Sequence, residues 1–148
     1  MEKKFTGLLI MDSNVKQNIL WIRIALWAGI VADAASVVLM MNPQLFVQTY
    51  GLDLIPDTGF SWGLLCGVPL MAGWTILLFW ADRKPVERRD ILLITIFPVV
   101  SGFVAVEVFA IISGYSSLLT LLPTFLMQAG LIILFYNGYH IAQDQVNA

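Results

Sequence analysis

SWGLLCGVPLMAGWTILLFWADRKPVERRD, residues 61–90, divides sharply in two. Its first twenty residues carry no charged side chain and its last ten carry seven. Twenty helical residues reach about 30 Å, the thickness of a bilayer's hydrocarbon core. The apolar part therefore reads as a membrane span. The charged part, with Arg83, Lys84, Arg88 and Arg89, reads as the place where the chain leaves lipid and turns back.

Working outward, three more stretches pass the same length test. Spans are expected at about 19–41, 60–81, 91–113 and 117–138. Composition agrees: the 148 residues are 59% hydrophobic and 12% charged, where a soluble domain carries about 25% charged residues. Mean hydropathy is +0.82. Residues 1–148 are expected to form one domain, an all-α integral membrane four-helix bundle with a short outer interfacial helix. The net charge of −2 says little because charges are segregated, and no basic or aromatic surface suits nucleic acid. The single cysteine, Cys66, rules out an internal disulfide.

All eight basic residues fall in two places: Lys3, Lys4, Lys16 and Arg23 near the first span, and the loop at 83–89. Four spans put both termini and that loop on one side, which Lys/Arg enrichment marks as cytoplasmic. The expected location is a multi-pass integral membrane protein, of the cytoplasmic membrane if the source is prokaryotic. Segment 42–59, with Asp53 and Asp57, then faces outward. VADAAS contains an Ala-x-Ala pattern at Ala32–Ala34, but VVLMM continues the apolar run beyond it, so the segment reads as a span rather than a signal peptide.

Local signals set the element ends. Asn14, with Gln17 three residues on, is expected to start the first helix, leaving Phe5, Leu8 and Leu9 in a short segment on the inner surface. Trp21 and Trp27 suit the inner interface, and Arg23 is expected to snorkel there. NPQLFVQTYG, residues 42–51, has Asn at the cap, Pro at the first turn and Gly past the end. It is expected to be a two-turn helix resting on the outer leaflet or folding over the bundle mouth. Asp90 is expected to cap the third span. Pro69, Pro98 and Pro123 sit inside spans, where they kink helices and free carbonyls. Gly63 and Gly67 are four apart and permit close helix approach. His140 lies past the last span and is assigned no role.

Two acids lie inside spans: Asp33 and Glu107. Ionisable groups in lipid are costly and mark function by default. Counting rise from the span midpoints places Asp33 roughly 3 Å and Glu107 roughly 8 Å outward of centre. Ser117, Thr120, Thr124 and Gln128 form a polar stripe on one face of the fourth span, and Cys66 falls at a similar depth. Inner halves such as ILLITIFP and LIILFY are almost wholly apolar. The expected arrangement is a polar pocket in the outer half, lined by Asp33, Glu107, Gln128, Thr124 and Cys66, over an apolar seal. A channel needs polar groups at every depth, so this pattern disfavours one. No cation accompanies the acids at depth, so at least one is expected to be protonated at neutral pH. Two separated carboxyls without His or further Cys make a poor metal site, and no cofactor motif appears.

The layout resembles the DoxX-like group of small four-span membrane proteins. The likeness rests on Leu26-Trp27-Ala28-Gly29, an outer segment opening with Asn42-Pro43 and closing with Gly51-Leu52, and the inner loop Asp82-Arg83-Lys84-Pro85. It implies fold and topology. Where the group has an acidic residue near the outer end of the second span, this chain has Ser61 and Gly63. Some members are associated with quinone-linked thiol or sulfur oxidation, but one cysteine cannot supply a dithiol.

Three functional readings follow. The first is a pocket for a small lipophilic molecule (lipid, isoprenoid or quinone-like), anchored by Asp33 and Glu107. The second is a non-catalytic assembly partner, a homo-oligomer or subunit packing through Gly63 and Gly67. The third is a membrane enzyme using the two acids as an acid–base pair; no catalytic residue is assigned.

Overall fold

The computed structural model describes the backbone of residues 2–147 and the side chains of residues 15–147. It is all-helical: α1 Glu2–Met40, α2 Pro43–Tyr50, α3 Thr58–Asp82, α4 Asp90–Ile112 and α5 Leu118–Asn147. Four of these are long and apolar enough to cross a membrane, α2 being the exception. The chain has the architecture of a multi-pass membrane protein.

Two helices outrun their expected spans. α1 continues through Asn14, so no helix begins there; whether Phe5, Leu8 and Leu9 meet a surface concerns side chains outside those described. α5 continues to Asn147 rather than ending near 138. Hydropathy marks where lipid ends, whereas a helix stops only at a breaker, and neither 2–18 nor 139–147 contains proline. Asp90 also differs from expectation. It occupies the first turn of α4 but makes no capping bond, because the preceding residue, Arg89, is already in helical conformation.

α2 obeys its sequence signals. Asn42 accepts a hydrogen bond from the Leu45 amide, Pro43 opens the first turn, and Gly51 closes the helix at φ +55°. Asp57 caps α3 by accepting from the Phe60 amide at 2.7 Å. Within α4, Pro98 offers no N–H, and the turn Thr95–Val100 widens to π geometry around it. The Ser101 amide then reaches back five residues to the Ile96 carbonyl. Leu92 before the widened turn, Ile96 within it and Glu107 after it are all buried.

α1 is the hub, packing along α3 on one side and α5 on the other, while α4 packs on α5. The core lies toward the basic-loop end and is built from Ile22, Ala25, Leu26, Leu78, Leu92 and Phe135, among others. Its one internal polar link is satisfied: Trp74 Nε1 donates to Thr95 Oγ1 at 3.3 Å, and that hydroxyl donates to the Ile91 carbonyl at 2.7 Å. At the rim of this end Arg23 pairs with Asp82 at 3.2 Å. Arg88 lies over the Trp80 ring and donates to the Trp80 carbonyl. Gly138 lets α5 close onto α1 and α4; a Cβ there would stand 3.2 Å from Ala25 Cβ and 3.3 Å from Leu92 Cδ1.

At the opposite end α2 folds back across the bundle. Ser116, in the turn between α4 and α5, donates to the Tyr50 carbonyl at 2.9 Å. The Asp53 amide donates to the Tyr115 carbonyl at 2.8 Å. Phe46 meets Tyr50 at 4.6 Å and Phe60 of α3 at 6.2 Å between ring centroids.

Candidate functional site

Beneath α2, α1 contributes Asp33, α4 contributes Glu107 and α5 contributes Gln128. Each is buried, at 8%, 5% and 6% exposure. Gln128 Nε2 donates to Glu107 Oε1 at 2.9 Å, joining α5 to α4. The three side chains border one chamber of about 40 Å³, together with Ser36, Tyr50 and Phe103. Ser36 spends its hydroxyl on the Ala32 carbonyl of its own helix, at 3.0 Å.

Each of the three buried residues also holds a polar atom with no protein partner: Asp33 Oδ2, Glu107 Oε2 and Gln128 Oε1. Buried acceptors are almost always paired in folded proteins, so three orphans on one small chamber need a reason. Among the described residues, no Lys, Arg or His lines the chamber.

A second chamber, about 110 Å³ and bordered mainly by apolar groups, adjoins the first. Phe46, Leu52, Val106, Ala110 and Leu121 form its walls, and Tyr50, Phe103 and Glu107 border both chambers. The site thus has a compact polar part and a larger apolar part, with α2 as its roof.

Of the five residues singled out in the sequence, Asp33, Glu107 and Gln128 come together. Thr124 stands beside the Glu107 carboxyl, yet its hydroxyl donates to the Leu121 carbonyl at 2.7 Å. Cys66 is exposed on α3 and lines neither chamber. Tyr50 is the functional candidate that sequence reasoning missed. Its signal was its place at the end of a two-turn helix bearing Phe46, which favours folding over the mouth rather than lying in the leaflet. Gly67 is spent inside the chain, against the Met40 side chain of α1, whereas Gly63 faces open space.

No family model, curated protein or solved structure matches this chain. The DoxX-like resemblance therefore rests on layout alone.

Proposed function

We propose that this protein binds a small lipophilic molecule in the pocket under α2, with Asp33 and Glu107 anchoring a compact head group. The observation that carries the reading is the pair of adjoining chambers, one polar and one apolar, that share Tyr50, Phe103 and Glu107. A molecule with one polar end and an apolar body matches that division. The charge pattern of the loops supports an orientation with both termini cytoplasmic and α2 on the outer face. The pocket then opens toward the outer leaflet.

The assembly reading has less behind it, because Gly67 is already covered by Met40 and only Gly63 remains open. The shared layout likewise supports membership of the DoxX-like group.

Native mass spectrometry of the chain released from a mild detergent tests the pocket. The wild type is expected to retain a lipophilic adduct, and Ala110→Phe, which fills the apolar chamber, to lose it while melting cooperatively. A wild type that retains no adduct and takes up no added isoprenoid or fatty alcohol refutes the reading.

A further inference from the structure

Resting on the lipophilic-pocket reading above, we infer that the head group is a primary ammonium, and that the ligand class is the single-chain amine amphiphile.

The donor and acceptor inventory of the polar chamber leads there. The Gln128 amide has used an N–H on Glu107 Oε1, which fixes its carbonyl oxygen as a free acceptor. Glu107 Oε2 and Asp33 Oδ2 are also without partners. Three acceptors on three helices thus border a space of about 40 Å³. The donors nearby are few. Ser36 and Thr124 donate to backbone carbonyls, leaving the Tyr50 hydroxyl and the second N–H of Gln128 as donors at the chamber. The charge inventory is equally one-sided: two carboxyl groups and no basic side chain on the lining.

Three head-group types can be weighed against that inventory. A neutral alcohol brings one donor and no charge. A trimethylammonium brings charge but no N–H, so it leaves all three acceptors unpaired. A primary ammonium brings three N–H donors, no acceptor and a positive charge. It alone matches acceptor number and charge. A divalent metal is a poorer match, since no group of three His, Cys, Asp or Glu is found among the described residues. The first methylenes beyond the nitrogen then enter the adjoining apolar chamber, whose rim residue Val106 is 65% exposed.

The test uses the full chain in phosphatidylcholine nanodiscs, titrated with dodecylamine, dodecanol and dodecyltrimethylammonium, and read by native mass spectrometry and thermal stability. Charge-assisted hydrogen bonds predict that dodecylamine binds at least about tenfold more tightly than either analogue. Asp33→Asn and Glu107→Gln are each expected to shrink that preference to within about threefold. Equal binding of dodecylamine and dodecanol overturns the ammonium inference and leaves the lipophilic pocket standing. Equal binding of dodecylamine and dodecyltrimethylammonium also overturns it, since charge without donors then suffices. Saturable binding of none of the three overturns the inference; the pocket reading falls with it only where the wild type also retains no adduct and takes up no isoprenoid. The ligand series on the wild type decides the matter even if a variant fails to fold.

Discussion

Gln128 and Glu107 show how a single hydrogen bond between helices can be worth keeping in lipid. The Gln128 amide of α5 donates to the buried Glu107 carboxyl of α4 at 2.9 Å. Removing it takes away the direct partner of Glu107 Oε1, while Oε2 is already without one. Gln128→Leu is expected to destabilise the bundle by about 1–2 kcal/mol, within the upper range of interhelical bonds in membranes. Thr124→Val should cost less than Gln128→Leu, because that hydroxyl donates to the Leu121 carbonyl of its own helix at 2.7 Å while standing beside the Glu107 carboxyl. Unfolding in mixed micelles with increasing dodecyl sulfate compares the two, and equal losses would contradict this account. Asp33, Glu107 and Gln128 were legible in the sequence because a polar group amid apolar neighbours is conspicuous whatever surrounds it. Cys66 was misplaced for a specific reason: counting rise along a helix gives depth, but not the direction in which a side chain points. That direction depends on which helices pack against which, and α3 turns Cys66 outward.

At the scale of elements, α2 is the piece whose placement matters most, since it supplies Tyr50 to both chambers. Its ends were readable from Asn42, Pro43 and Gly51; its destination was not, because the tie to Ser116 spans 66 residues. Gly51 is where the tether is most fragile. At φ +55° a Cβ is strained, and it would also press on the Thr120 side chain. Gly51→Ala is expected to cost about 1–2 kcal/mol from the left-handed backbone alone, with added displacement of α2. Gly63→Ala, facing open space, should fall within about 0.5 kcal/mol of the wild type. Tyr50 reports on the same element. Burial, and then the nearby Glu107 carboxylate, push its phenol above the usual 10.0. A folded-state pKa above the unfolded one means that the neutral form is favoured by folding. This contribution is therefore intact below about pH 10 and is lost as pH rises through the folded value. Ultraviolet titration should show a tyrosine step above the usual phenol range, and Tyr50→Phe should remove that step.

For the whole molecule, the basic loop and the core sit at one end, and the pocket with its roof at the other. Arg23 reaches Asp82 at 3.2 Å, so the first helix delivers its cation to the same end as Arg83, Lys84, Arg88 and Arg89. Charges separated in sequence thus become one basic rim, and α2 marks the far side with Asp53 and Asp57. Short-loop Lys/Arg bias sets orientation during insertion, so the rim is expected to stay cytoplasmic and α2 to be exported. Single-cysteine mapping tests this in a Cys66→Ser background. Asp53→Cys should react with a membrane-impermeant maleimide on intact cells. Glu87→Cys, in the basic loop, should react only after the membrane is permeabilised. Its ion pair with Lys84 is exposed, so surface-pair energetics predict a loss below about 1 kcal/mol and a fold that survives the change. Labelling of Glu87→Cys on intact cells would reverse the orientation and turn the pocket toward the inner leaflet. The chambers themselves would be unchanged, because they are made by contacts among α1, α2, α4 and α5 rather than by the side of the membrane they face.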